Sequence, residues 1–205
     1  MKIYDISQEV FESVTYPGDP KPQKQVIMSM KEGALYNLTG LSMGVHNGTH
    51  IDAPAHFIKD GKTIDEIPLD DFVGTAYVYY HNGKIDSDLA DRIIAQAREA
   101  CGYDLKILLI RGRAAVSFDG AQVLARCGLT LLGCEYQSIA TADAVIPVHR
   151  LLLDYGVKIL EGLRLDFVEP GRYFLCAAPL KLGNTEGAPC RAFLIDFEHK
   201  RSFWK

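Results

Sequence analysis

Three histidines and a carboxylate fall within the segment Gly44-Val45-His46-Asn47-Gly48-Thr49-His50-Ile51-Asp52-Ala53-Pro54-Ala55-His56-Phe57. Imidazole nitrogens together with carboxylate oxygens suit zinc, manganese or iron. As a helix, this stretch would put His46 and His50 on one face but turn Asp52 away from them. Two glycines and a proline also oppose a helix. As extended chain, side chains alternate, so His46, Gly48, His50 and Asp52 share a face and Val45, Asn47, Thr49 and Ile51 share the other. That reading predicts three ligands converging around a glycine, whose missing side chain leaves room for an ion.

One strand cannot surround a metal, so ligands must come from elsewhere in the chain. Of the six histidines, His149 follows a proline that reads as a helix start. Glu161 follows the apolar run Val157-Lys158-Ile159-Leu160, at the carboxyl end of a predicted strand, where α/β folds place their sites. A carboxylate buried there needs a compensating partner. Asp52 could bridge two ions, with His46 and His50 completing one and His149 and Glu161 the other. His56, beyond Pro54, is then left without a ligand role. A histidine beside a metal-activated water is suited to general base and acid work, because a bound metal brings the water pKa down to about 7 and polarises a carbonyl.

The elements that must hold these residues read as α/β. Gln25–Lys31 and Leu38–Gly44 are expected strands after the turn Pro17-Gly18-Asp19-Pro20, and 46–73 is expected to be irregular. Predicted strands at 75–81, 106–110, 129–134, 157–160, 172–178 and 192–197 are interleaved with predicted helices at 87–101, 117–127 and 147–155. The first helix has a cap signal at Asp86 or Ser87 and Gly102 just past its end. The third has Pro147 at its first position. Short apolar strands alternating with helices indicate a mixed, mainly parallel central sheet. The strand-rich first third suggests an added antiparallel or mixed layer. No repeat or low-complexity segment divides the 205 residues, so a single domain over 1–205 is expected.

Composition narrows the function classes. A formal net charge of -4, a pI near 5.9 and no basic run weigh against nucleic acid and anionic membranes as partners. No apolar run is long enough for a membrane span. The first residues lack a charged stretch leading into an apolar run, so no signal peptide is expected, and the expected location is the cytoplasm. Five scattered cysteines with no CxxC suggest neither a disulfide framework nor a thiolate zinc site.

The segment His46-Asn47-Gly48-Thr49-His50-Ile51-Asp52-Ala53-Pro54-Ala55-His56 resembles the HxGTHxDxPxH signature of the bacterial kynurenine formamidase and cyclase-like metal-dependent hydrolases. The resemblance extends along the chain. Pro17-Gly18-Asp19 is similar to that family's PGD turn, Pro147-Val148-His149-Arg150-Leu151-Leu152-Leu153 to its distal histidine helix, Ile159-Leu160-Glu161-Gly162-Leu163 to its ILExL segment, and Gly187-Ala188-Pro189-Cys190-Arg191 to its GAPxR stretch. It implies a swivelling β/β/α domain, a homodimer, and two divalent ions per chain, zinc first and manganese second. His46, His50 and Asp52 would hold one ion and Asp52, His149 and Glu161 the other, with His56 as the proton shuttle. The implied activity is hydrolysis of an aryl formamide such as N-formylkynurenine, and the implied partner is therefore a small-molecule amide. Two departures bear on substrate. Ala140 stands where a second carboxylate is usual, and Tyr16 stands where formamidases often have Trp before the PGD turn. Relatives that act on cyclic imides, lactams or other amides remain an alternative.

Other readings stay open on the sequence. Tyr16, Phe11, Tyr36 and Phe57 could line an aromatic pocket or simply pack. Arg111-Gly112-Arg113 is expected to be a solvated turn or to pair with another loop. Glu186, in a predicted loop, could reach the site. His81 and His199 read as surface or hydrogen-bonded residues. A 2-His-1-carboxylate iron oxygenase built on His50, Asp52 and His149 leaves His46, His56 and Glu161 surplus. A non-catalytic metal-binding module leaves His56 unexplained, because structural sites are usually closed.

Overall fold

In a computed structural model, residues 1–197 are described; His199 lies outside them. The strands are β1 (Lys2–Asp5), β2 (Gln23–Met28), β3 (Leu38–Ser42), β4 (His50–Asp52), β5 (Val73–Tyr80), β6 (Gly83–Ile85), β7 (Ile107–Arg111), β8 (Ala114–Val116), β9 (Leu131–Cys134), β10 (Lys158–Glu161), β11 (Gly171–Cys176), β12 (Gly187–Pro189) and β13 (Phe193–Asp196). The helices are α1 (Ser87–Cys101), α2 (Phe118–Arg126) and α3 (Val145–Asp154). Nine strands form one sheet in the order β1-β13-β11-β5-β7-β9-β10-β4-β12. Its four central strands, β5, β7, β9 and β10, are parallel. The strands outside them pair antiparallel. The mixed α/β sheet expected from the sequence is present, but it is partly and not mainly parallel, the parallel part being confined to the strands that alternate with helices.

Strict alternation along the central strands builds two apolar layers. Leu108 and Ile110 of β7 face the helices, with Tyr77, Leu132 and Ile159 from neighbouring strands and Ile93, Ala97, Leu124 and Leu152 from the helices. Ile107 and Leu109 face the opposite layer, where Ile51, Phe72, Leu160, Leu165 and Leu194 pack without helical cover. Asp86 caps α1, its carboxylate accepting the Leu89 N–H at 3.0 Å. Gly102 then ends the helix at φ 90°, a conformation that costs glycine little.

Three expectations change. Helix α3 starts at Val145, so Pro147 is its third residue and His149 lies in its second turn. The first three residues of a helix have no internal acceptor for their N–H groups, so a proline is tolerated throughout that turn. Four short strands, β1, β6, β8 and β12, go unseen in the sequence. Each is three or four residues long, too short for a period to show. Strand β2 ends at Met28, and Met30–Glu32 forms a 3-10 turn.

Strands β2 and β3 form a separate antiparallel hairpin. It leaves Val26, Ile27, Met28, Leu38 and Leu41 exposed, and Leu35 in its connection is 93% exposed. No helix of the described residues is long and apolar enough to cross a membrane.

Candidate metal centre and cavity

Strand pairing assembles the site. Strand β4 runs antiparallel between β10 and β12, with His50 opposite Glu161 and Asp52 opposite Gly187. His50 and Asp52 therefore project to one side, as the alternation predicts. The extended reading fails upstream of His50. Residues 45–49 form a turn closed by the Asn47 N–H donating to Gly44 O at 3.2 Å, and His46 reaches the cluster from that turn. Gly48 sits at φ 68°. A β-carbon there would approach Ser13 and Val10, so the glycine serves the left-handed backbone and not the space for an ion. Thr49 on the far face is buried, its hydroxyl donating to Gly162 O at 2.6 Å and accepting the Gln8 N–H at 2.9 Å. These bonds fix the turn against the strand that carries Glu161.

Four side chains gather around Asp52. One of its oxygens, Oδ1, lies 2.9 Å from His46 Nδ1 and 3.5 Å from His50 Nε2; the other, Oδ2, lies 3.9 Å from His149 Nε2. Glu161 lies 3.2 Å from His149 Nε2 through Oε1 and 3.8 Å from His50 Nε2 through Oε2. Oε1 of Glu161 also accepts the Ile139 N–H at 2.7 Å. His50, Asp52, His149 and Glu161 are almost wholly buried. Two triads result, His46-His50-Asp52 and Asp52-His149-Glu161, each with its donor atoms mutually within 4.8 Å.

The donor chemistry fits divalent cations. His50 Nδ1 lies 3.0 Å from Gly48 O, and His149 Nδ1 lies 2.7 Å from Val145 O. A carbonyl can only accept, so both Nδ1 atoms carry hydrogen and both neutral rings turn an Nε2 lone pair toward carboxylate oxygens. Lone pair facing lone pair in a buried site demands a positive charge between them, either a metal ion or a second proton on the ring. Without metal the proton takes that place. Burial alone disfavours a charged His50, but the hydrogen bond and charge of Asp52, reinforced by Glu161, outweigh it and raise the pKa. His149 behaves likewise, with Glu161 as the main opposing influence. Asp52 is pushed up by burial, yet the hydrogen bonds from His46 and His50 hold its carboxyl far below the usual range.

His56 belongs to neither triad. Its ring stacks on His46, with centroids 4.1 Å apart at 30°, and meets Phe57 edge-on at 4.3 Å. Burial, the strongest influence, holds its pKa below 6.5 despite the nearby carboxylates. A cavity of about 290 Å³ opens over the cluster, lined by Tyr16, Asp19, His56, Phe57, Gln137, Ile146 and the metal-type donors. Tyr16 and Phe57 line it as one sequence reading allowed; Phe11 and Tyr36 do not.

The chain matches the family model Cyclase, described as "Putative cyclase", over residues 4–141. A kynurenine formamidase of Salinibacter ruber is 34% identical over 210 residues, spanning 96% of this chain and 98% of that one. A solved structure described as a "predicted metal-dependent hydrolase from Bacillus stearothermophilus" is 31% identical with a TM-score of 0.77, covering 94% and 97% of the two chains. This chain belongs to the cyclase family. An isatin hydrolase from Labrenzia aggregata shares the fold at a TM-score of 0.79, with 22% identity over 94% of this chain and 93% of that one.

The two departures from the family pattern have different surroundings. Tyr16 stands on the cavity wall. Ala140 is buried in the helix-side core beside Val116, so apolar packing replaces the usual carboxylate. Glu135, in the same segment, clasps two loops through the backbone N–H groups of Gly112 and Leu165. Arg111 pairs with another loop, donating to Val168 O at 2.7 Å and Asp166 O at 2.9 Å.

Sequence reading misses Asp19 and Gln137 on the cavity wall and the part played by Gly187. A β-carbon on Gly187 would stand 2.9 Å from His46 Cε1 and 2.7 Å from Ile51 O, so only glycine admits the His46 ring. The GAPxR resemblance marks this glycine, but its reason is a neighbour 141 positions away. Glu186 does reach the site: Oε1 lies 3.6 Å from His46 Nε2.

Proposed function

We propose that this protein is a metal-dependent hydrolase of amide C–N bonds, and specifically a cytoplasmic arylformamidase acting on N-formylkynurenine or a related aryl formamide. The observation that carries the reading is the pair of triads sharing Asp52, with His56 outside both on the cavity wall. A closed structural site would need no such extra histidine. The formamidase assignment within the family is supported by the near-full-length similarity to the Salinibacter ruber protein.

His46, His50 and Asp52 would hold one divalent ion and Asp52, His149 and Glu161 a second, zinc first and manganese as the alternative for this nitrogen and oxygen set. When bound, such ions acidify water and polarise a carbonyl. The chain's own residues do the rest. Backbone carbonyls at Gly48 and Val145 fix the His50 and His149 rings with Nε2 inward. Burial keeps His56 neutral at pH 7, ready to take a proton at a ring nitrogen as water attacks the formyl carbon. His56 then returns that proton to the departing aryl amine. Phe57, between His56 and His149 at centroid distances of 4.3 and 4.9 Å, supplies an apolar wall, and Tyr16 a second aromatic contact for the ring of the substrate.

A homodimer completes the proposal. An isolated two-stranded hairpin is marginal in water, yet β2 and β3 expose Val26, Ile27, Met28, Leu38 and Leu41 together with Leu35 and Tyr36. Against a second copy the apolar face that carries Val26 and Leu41 would be withdrawn from water, which favours association.

The test is release of formate from N-formylkynurenine by the purified, metal-loaded protein, with and without chelator. Chelator-sensitive turnover is the expected result. No turnover with metal bound would overturn the formamidase assignment and send the search to lactams such as isatin. No metal binding would overturn the metal site itself.

A further inference from the structure

The metal-site reading leaves His46 unlike the other two histidines. His50 and His149 present Nε2 to the carboxylates, whereas His46 presents Nδ1, 2.9 Å from Asp52 Oδ1. Its Nε2 is buried and has no hydrogen-bond partner among the described residues. The nearest carboxylate is Glu186, with Oε1 at 3.6 Å, just beyond hydrogen-bond reach.

The surroundings are built to hold this arrangement. Glu186 sits immediately before β12, and its backbone is pinned on both sides: the Ala53 N–H donates to Glu186 O at 2.8 Å and the Ile64 N–H to Thr185 O at 2.9 Å. Asp65 accepts the Asn184 N–H at 3.0 Å from the same loop. Gly187 leaves the space that the His46 ring fills, and His56 stacks on the ring. The Glu186 side chain is about half exposed and free to close a few tenths of an ångström. A ring that gives Nδ1 to a cation must carry its hydrogen on Nε2. That hydrogen needs an acceptor, and an outer carboxylate on a ligating histidine both orients the ring and raises its basicity.

We propose that Glu186 is a positioning residue for the metal centre: it accepts the Nε2–H of His46 and so commits His46 to bind metal through Nδ1, opposite in sense to His50 and His149. The inference rests on the metal-site reading above. It deepens that reading, because the three histidines then differ in which nitrogen faces the cation and in what fixes it: backbone carbonyls for two of them, a half-exposed carboxylate for the third.

The experiment measures zinc affinity of the full-length protein by competition with a chromophoric chelator, for wild type, Glu186→Ala and Glu186→Gln. Glu186→Ala is expected to weaken zinc binding about 10- to 100-fold. Glu186→Gln, which keeps an acceptor oxygen, is expected to recover part of that loss. Thermal unfolding of the metal-free variants should match wild type, because the side chain buries little. Nitrogen-15 NMR of the zinc-loaded wild type is expected to show the hydrogen of His46 on Nε2 and those of His50 and His149 on Nδ1. Unchanged zinc affinity in Glu186→Ala, or metal-bound Nε2 at His46, would overturn the proposal while leaving the metal site standing. Wild-type protein that binds no zinc would overturn both.

Discussion

Replacing His56 by alanine separates proton transfer from metal binding. The ring touches none of the donor sets except by stacking on His46 at 4.1 Å, and it is absent from both triads. All five donors therefore stay in place and metal content should not change. What is lost is general acid–base help, typically about 10²–10⁴-fold, or about 2.7–5.4 kcal/mol of transition-state stabilisation at 1.36 kcal/mol per tenfold. The pH profile gives an independent signature. Burial keeps the His56 pKa below 6.5, so the wild-type kcat/KM should hold through neutrality and fall on an acid limb below pH 6.5. In His56→Ala that limb should vanish, leaving a low rate set by the remaining groups. The assay is formate release from N-formylkynurenine at saturating zinc, from about pH 5 to pH 8, with bound metal measured on the same samples. A variant within about threefold of wild type at full metal loading would refute the proton-shuttle role.

Further outcomes follow from the same geometry. Asp52→Asn should abolish zinc binding at both triads; because the Asp52 carboxyl is held below its usual pKa, it stabilises the metal-free fold above the unfolded value near 3.9 and loses that contribution in strong acid, so denaturant titrations should show about 3–5 kcal/mol of destabilisation at neutral pH that shrinks toward pH 3. The raised pKa values of His50 and His149 place protons where zinc must go, so zinc binding should release protons and strengthen as pH rises above 6.5; calorimetry in two buffers of different ionisation enthalpy that finds no proton release would contradict this. Gly187→Ala should push β12 from β4, since the added carbon meets Ile51 O at 2.7 Å and His46 at 2.9 Å, costing about 1–3 kcal/mol in thermal unfolding and lowering zinc affinity with it. Val26→Lys with Leu41→Lys should turn the proposed dimer into a monomer in sedimentation velocity while leaving the metal content intact, because neither side chain lines the cavity.

The sequence by itself determined the chemistry of the centre and much of the scaffold. His46, His50, Asp52, His149 and Glu161 do meet; alternation marked His50 and Asp52, and the resemblance of the segments around His149 and Glu161 marked the distant pair. Helix α1 is legible to its ends, since Asp86 and Gly102 terminate it through bonds and dihedrals local to their own residues. The central parallel strands are legible because apolar runs must be covered on both faces. Pairing between distant segments was decided only by tertiary structure. His50 stands opposite Glu161, and Gly187 opposite Asp52, by register across three strands, which no local period encodes. The turn at His46 and the short strand β12 escape local reading on the same ground. Each is fixed by what lies across from it: Thr49 bonding Gly162, and β4 beside Gly187. The inward nitrogens of His50 and His149 are set locally, by the carbonyl oxygens of Gly48 and Val145 two and four residues away, whereas the carboxylate nearest the outer nitrogen of His46, that of Glu186, is brought there only by the fold.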